Sequence, residues 1–218
     1  RGECAPIHSR EHKDAELLRN QILQLVKEGH DIQLHLHPQW YGASFETEEW
    51  KLNFNWWRFS ALPYRHQADG TPGRYDLLVE GKKYLEDLIR PIKPDYECIA
   101  FRAGGYNIGV DDLSGKALLE SGFKIESSIC PGFYANSKLS KYDYTSNLSI
   151  RTFSFYDDDD DNKVVELPLL TLHSSVIDRI SLPRLYAKIM NSRFKSIDFN
   201  NDLVELEKAT PVNSRNNK

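Results

Sequence analysis

The chain has 218 residues, of which 40% are hydrophobic and 28% are charged, as is usual for a globular protein with a sizeable core. Its net charge of −4 gives no indication of a nucleic-acid or anionic-membrane partner, and no apolar stretch approaches the roughly 20 residues that a membrane-spanning helix needs. The three cysteines are scattered without a Cys-x-x-Cys pair. This argues against a disulfide framework or a thiolate zinc site and is compatible with a reducing, cytoplasmic compartment.

The predicted elements alternate between helices and strands along the chain. Apolar residues at helical spacing predict helices, and short apolar or alternating runs predict strands. The first half is predicted as a helix over 14–28, a strand over 32–37, an irregular aromatic-rich segment over 40–75 and a helix over 76–90. The second half is predicted as a strand over 99–101, a helix over 110–121, strands over 123–125 and 164–172, and a helix over 182–194. Such alternation is typical of a parallel α/β architecture.

The strand predicted over 32–37 places two histidines on one face. Successive side chains of a strand point to opposite faces, so the apolar residues would face the core while Gln33, His35 and His37 share the other side. Two imidazoles so placed could bind one metal ion. They could equally be polar residues on a solvated strand, and the strand alone leaves both interpretations open.

Polar or glycine-rich residues follow each of the four predicted strands. The strand ends carry His35 and His37, then Arg102 with the turn 104–106, then the segment 126–128, and finally His173. Active-site residues of parallel α/β folds lie just beyond the carboxyl ends of the strands. The sequence therefore predicts one common site at this end of the sheet.

Four segments resemble the NodB-homology polysaccharide deacetylases, carbohydrate esterase family four, in their order and rough spacing. They are LVKEGHDIQLHLHPQW, IAFRAGGYNI, LLESGFKIESSICPG and ELPLLTLHSS, and the resemblance covers about residues 14–175 and is greatest to the WalW-like branch. It implies a distorted (β/α) barrel over residues 1–199. It also implies removal of N- or O-acetyl groups from a carbohydrate, in bacterial surface-polysaccharide metabolism, with one divalent metal, commonly zinc. The polar composition of residues 200–218 separately predicts a disordered tail.

The resemblance also implies a role for each matching residue. His35 falls on the first metal histidine, whereas the second falls on Gln39, so His37 is the further candidate ligand. Arg102 matches the arginine that holds the catalytic aspartate, and His173 matches the general acid. The substrate-contacting turn after the arginine corresponds to Gly104, Gly105 and Tyr106.

The aromatic-rich segment after the histidines holds all four tryptophans, from Trp40 to Trp57. Tryptophan faces are suited to stacking on sugar rings, and Trp40 is the best candidate for such a contact. The alternative is a hydrophobic subcore beneath a long loop.

One family motif has no counterpart in this sequence. The Asp-Asp pair that supplies the catalytic base and a metal ligand has no match in residues 1–13, so we expect the chain to lack the first strand or strands of the barrel and, expressed alone, to be poorly soluble. Two other functions stay open. One is another His-x-His metal hydrolase, of the amidohydrolase or PHP type, and the other is a non-catalytic carbohydrate-binding protein of the same fold.

Overall fold

The computed structural model describes residues 13–46, 49–158 and 162–171. Its three α-helices among these residues are α1 (Lys13–Lys27), α2 (Arg74–Ile89) and α3 (Asp112–Glu120). Its strands are β1 (Leu34–Leu36), β2 (Ser44–Glu46), β3 (Glu49–Lys51), β4 (Ala100–Ala103), β5 (Ile125–Glu126), β6 (Tyr134–Asn136), β7 (Lys141–Asp143), β8 (Phe153–Asp157) and β9 (Lys163–Glu166). The mixed α/β class expected from the sequence is confirmed.

A five-stranded sheet in the order β1-β4-β5-β9-β8 organises the fold up to residue 170. The first four strands of that order are parallel, and β8 pairs antiparallel with β9 at the edge. His35 lies directly beside Arg102 in the register of β1 and β4. The parallel register is the reason why residues far apart in sequence share one end of the sheet.

The core lies between one face of the sheet and helices α2 and α3. It joins Phe101 and Val164 from the sheet to Leu78 from α2 and Leu118 from α3, all fully buried. Leu34 of β1 lies on the same side, because its methyl groups pack where a side chain at Gly81 of α2 would have to be. Apolar residues on alternate strand positions therefore face the helices.

The opposite face of the sheet is polar and partly open to solvent. Gln33, Arg102 and Ser127 are half-buried and His35 is exposed, in positions that alternate with the helix-facing residues. The side of the sheet predicted for the two histidines is thus the side that α2 and α3 leave uncovered.

Local signals explain where the helices begin and end. Gly29 adopts a φ of +90° just after α1, a conformation that favours glycine and that stops the helix. Asp111 begins α3, since its side chain accepts a hydrogen bond from the Ser114 amide at 2.7 Å. None of the helices in the described ranges is long and apolar enough to cross a membrane.

Several predicted elements differ from the structure or lie outside it. The strand predicted over 164–172 ends at Glu166, although the amides of Leu167 and Leu169 still donate to the carbonyls of Glu126 and Ile129 at 2.7 and 2.9 Å. The hairpins β2–β3 and β6–β7 and the edge strand β8 were not predicted. The predicted helix 182–194, His173 and the polar tail 200–218 lie outside the described residues.

Candidate functional site

An open cavity of about 360 Å³ lies on the uncovered face of the sheet. Strands β1 and β4 and the end of β5 form its wall, and its lining residues are Gln33, Leu34, His35, Ala100, Phe101, Arg102 and Ser127. The cavity therefore brings together predicted site residues from two strand ends, His35 and Arg102, with Ser127 from a third.

His35 is oriented by the neighbouring strand. Its Nδ1 lies 3.0 Å from the backbone carbonyl oxygen of Arg102. A carbonyl oxygen only accepts hydrogen bonds, so Nδ1 carries the proton and the neutral ring presents the lone pair of Nε2 to the site.

His37 is brought to His35 by a bend in the chain. β1 ends at Leu36 and Pro38 begins a short 3-10 helix, so His37 leaves the strand in extended conformation. Its Nε2 lies 2.9 Å from Nε2 of His35, and the two rings stand nearly perpendicular at 88° with centroids 4.7 Å apart. The chemically reactive nitrogens of the two predicted ligands thus converge.

Both imidazoles are held in the neutral form. Partial burial lowers the pKa of His35, and Arg102 adds a smaller lowering by charge repulsion, against the raising effect of the hydrogen bond to the Arg102 carbonyl. Burial, and secondarily His35, lowers the pKa of His37 to about 4. Neutral imidazole is the form that binds metals, so neither ring need lose a charge before binding one.

The histidine pair fits two positions of a divalent metal site. Two nitrogens bound to one tetrahedral zinc at about 2.05 Å lie about 3.3 Å apart, so the observed pair needs a movement of only about 0.4 Å. No group of three or more histidine, cysteine, aspartate or glutamate side chains in the described ranges could hold a metal. The donor set that the described residues supply is therefore two imidazole nitrogens.

Gly104 leaves the space that His37 occupies. A Cβ at this position would lie 2.7 Å from Nδ1 and 2.8 Å from Cγ of His37. The backbone of the turn after Arg102 thus packs directly on the imidazole ring, which only glycine permits without displacing it.

The turn 104–106 has an unusual backbone. Gly105 and Tyr106 both adopt left-handed conformations, with φ of 58° and 62°, and a non-glycine residue there costs about 1–2 kcal/mol. The Tyr144 hydroxyl donates to the Tyr106 carbonyl at 2.7 Å and braces the turn. The predicted substrate-contacting turn is therefore a strained, braced segment next to His37.

Arg102 is anchored to the next strand end by its guanidinium. Its Nε donates to the Ser127 carbonyl at 2.8 Å and one terminal nitrogen donates to Ser127 Oγ at 3.2 Å. Ser127 Oγ in turn donates to the carbonyl of Leu167 at 2.8 Å. These contacts fix a positive charge beside the cavity, and the aspartate partner that the family resemblance implies for Arg102 is not among its contacts within the described ranges.

A buried carboxyl pair supports the strand ends on the helix side of the sheet. Glu126 and Glu166 are fully buried and contact one another, and burial, followed by this contact, raises the pKa of Glu166. Burial likewise raises the pKa of Glu126. Two such acids share a proton rather than both ionise. Ser128 links the pair to β4, since its hydroxyl donates to Glu126 and accepts from the Ala103 amide.

The aromatic segment divides into an exposed group and a buried group. Trp40 is 40% exposed and its ring centroid lies 5.5 Å from that of Trp50, which also contacts Phe45. Trp57 is buried, with its ring centroid 5.9 Å from that of His37 and its Nε1 without a hydrogen-bond partner among the described residues. The segment is thus a subcore beside His37 with an aromatic surface at Trp40.

Sequence reasoning missed two residues that shape the site. The sequence places Trp57 in the aromatic segment without predicting its contact with His37, and it places Ser127 at a strand end without predicting its contact with Arg102. Trp57 contacts His37 across 20 positions of the sequence, and Ser127 contacts Arg102 across 25, so both contacts depend on the tertiary structure. The signal that could have identified Ser127 is its position directly after a predicted strand, where polar residues of a parallel sheet tend to meet.

The fold therefore brings some, but not all, of the predicted site residues together. His35, His37, Arg102 and the turn 104–106 lie together, Trp40 follows His37 in the adjoining 3-10 helix, and His173 lies outside the described residues. A comparison of the chain with protein families, with curated proteins and with solved structures finds no match in any of the three.

Proposed function

We propose that this protein is a metal-dependent hydrolase that removes N- or O-acetyl groups from a carbohydrate. The observation that carries the proposal is the pair of neutral imidazoles whose Nε2 atoms converge to 2.9 Å beside Arg102, at the carboxyl ends of parallel strands. The resemblance to NodB-homology deacetylases supports the reaction class. In the proposed fold the parallel sheet forms part of the wall of a distorted (β/α) barrel, with His35 on its inner face.

His35 and His37 would hold a divalent metal, most suitably zinc. When bound, such a metal supplies Lewis-acid polarisation of the acetyl carbonyl. Residues of the chain itself would fill the remaining roles in the reaction. The Arg102 guanidinium would provide a fixed positive charge for a carboxylate base, and the backbone of the turn 104–106, which packs on His37, would contact the carbonyl.

His173 is proposed as the general acid that protonates the leaving amine or alkoxide. A histidine with a pKa near 6.5 can give up a proton close to neutrality, which suits this role. Trp40 is proposed as a surface for a sugar ring, because its exposed indole lies three residues from His37 and adjoins Trp50.

The test is acetate release by the full chain, stripped of metal and reloaded with Zn²⁺, from acetylated chitooligosaccharides and acetylated xylan. We expect release only with metal, its loss in His35→Ala, and its retention in His30→Ala, an exposed histidine outside the pair. Zinc binding without acetate release from either polymer would contradict the deacetylase and favour a non-catalytic carbohydrate-binding protein. Equal release by His35→Ala would contradict the role of the pair.

A further inference from the structure

Gln39, His37, His35 and Arg102 form a continuous series of three polar contacts. Gln39 Nε2 lies 3.2 Å from His37 Nδ1, His37 Nε2 lies 2.9 Å from His35 Nε2, and His35 Nδ1 lies 3.0 Å from the Arg102 carbonyl. The carbonyl fixes the proton of His35 on Nδ1, so Nε2 of His35 is an acceptor. His37 must then donate from Nε2, and its Nδ1 accepts from the Gln39 amide. Every contact is satisfied by a single set of tautomers.

This set of tautomers is incompatible with a metal between the rings. The proton on His37 Nε2 occupies the point at which both lone pairs would have to meet. To bind a metal with both Nε2 atoms, the neutral His37 ring must instead carry its proton on Nδ1. An N–H at that position needs an acceptor, because His37 Nδ1 lies against the Gln39 side chain and the Gly104 backbone.

The acceptor is already present on the same side chain. Gln39 is only 3% exposed, and its Oε1 is buried without a hydrogen-bond partner among the described residues. Rotation of the amide by 180° exchanges Nε2 for Oε1 opposite His37 Nδ1. The side chain can therefore serve either tautomer of His37, whereas an apolar residue could serve neither.

We propose that Gln39 is a positioning residue that sets the His37 tautomer and switches it when a divalent metal binds. Without metal, the Gln39 amide donates to His37 Nδ1 and the two histidines hydrogen-bond to one another. With metal, Oε1 of Gln39 accepts from His37 Nδ1–H and both Nε2 lone pairs are directed at the ion. One proton leaves Nε2 and one arrives at Nδ1 through exchange with water, so each ring remains neutral.

Such an orienting partner is characteristic of metal-binding histidines, whose second nitrogen usually donates to a carbonyl or carboxylate. His35 already has this arrangement through the Arg102 carbonyl, and Gln39 would give it to His37. The inference rests on the metal dependence of the proposed function and is independent of the acetylated substrate.

The test is long-range ¹H–¹⁵N correlation spectroscopy of the full chain labelled with ¹⁵N-histidine, with and without Zn²⁺. Single histidine-to-alanine variants assign the two rings. We expect His35 protonated on Nδ1 throughout, and His37 protonated on Nε2 without metal and on Nδ1 with Zn²⁺. A His37 ring that keeps its Nε2 proton in the presence of bound Zn²⁺ would overturn the proposal.

Two variants separate the tautomer from other effects of residue 39. Gln39→Glu offers acceptors only, so it should hold His37 in the Nδ1–H tautomer even without metal and bind Zn²⁺ at least about 10-fold more tightly. Gln39→Met fills similar space with only a weakly accepting thioether and should bind Zn²⁺ about 10–100-fold more weakly. The exposed substitution Gln24→Met is the matched control and should leave zinc affinity unchanged. Gln39→Met binding zinc as tightly as the unaltered chain would also overturn the proposal.

The outcome is distinguishable from that of the proposed function. A chain that shows the tautomer change but releases no acetate contradicts only the deacetylase. A chain that releases acetate while His37 keeps its Nε2 proton contradicts only the switch. Failure to bind Zn²⁺ at all contradicts both.

Discussion

Gly104→Ala is a substitution whose effect on zinc affinity can be worked out from the structure. The new Cβ would lie 2.7 Å from His37 Nδ1, and ordinary contact begins at 3.4 Å, so the ring must retreat by 3.4 − 2.7 = about 0.7 Å. Gly104 does not have a positive φ, so alanine adds no backbone strain. The perturbation is therefore a displacement of one imidazole, with the loop itself otherwise unstrained.

A displacement of this size exceeds what a metal bond tolerates. Zinc–imidazole distances vary by only about 0.2 Å around 2.0–2.1 Å, so His37 would no longer reach an ion held by His35. We expect zinc affinity to fall by about 10–100-fold, the range found for the loss of supporting contacts at metal sites. The free energy of unfolding should fall by at most about 1–3 kcal/mol, because the half-buried ring can move toward solvent.

The assay is competition of the full chain with a chromophoric chelator for Zn²⁺, with a thermal melt by circular dichroism to verify folding. The same substitution is then made in a His37→Ala background, where no ring blocks the new Cβ and the loss of thermal stability should vanish. Gly70→Ala, in an exposed turn with a φ of +89°, is the control for lost stability away from the site: it strains the backbone and should lower the melting temperature while leaving zinc affinity unchanged. The reasoning is refuted if Gly104→Ala binds zinc normally, or if it lowers the melting temperature as much without His37 as with it.

Three further predictions follow from other contacts. Burial, followed by the contact with Glu126, raises the pKa of Glu166 above its ordinary 4.5, so the folded chain keeps a proton that the unfolded chain releases, and stability should fall as pH rises above that value by up to about 1.4 kcal/mol per pH unit. Glu166→Gln should flatten that slope in urea unfolding between pH 5 and 9, and an unchanged slope would contradict the shared proton. The buried guanidinium of Arg74 pairs with Asp111 at 2.6 Å and donates to the carbonyl of Leu62 at 2.8 Å, so Arg74→Leu should lower the free energy of unfolding by about 3 kcal/mol while zinc affinity per folded molecule stays constant. Trp40→Ala should raise KM for an acetylated oligosaccharide about 2–10-fold with kcat unchanged, and an equal loss in kcat would argue against a role confined to sugar binding.

The spacing of apolar residues and the positions of glycine and proline were sufficient to predict the fold class and most of its elements. Helix α1 was predicted over 14–28 and spans Lys13–Lys27, because apolar spacing and the glycine that follows it act within a few residues. The alternation around His35 also predicted which side of the strand it occupies, since the period of a strand is fixed by its backbone geometry. The hairpin β6–β7 pairs locally, with Asn136 opposite Lys141, and it was missed because each strand has only three residues, most of them exposed, which leaves no apolar run to read.

The site itself was decided by the tertiary structure. The sequence identified His35 and His37 as a pair, but their approach to 2.9 Å requires the turn at Pro38 and the glycine at position 104, which is 67 positions away from His37 along the chain. The role proposed for the buried carboxamide of Gln39 depends on its contact with the His37 ring. The shared proton of Glu126 and Glu166 likewise depends on the contact between these two buried side chains. Local propensity acts over a few residues, whereas tautomers, pKa values and packing depend on neighbours that only the folded sheet brings together.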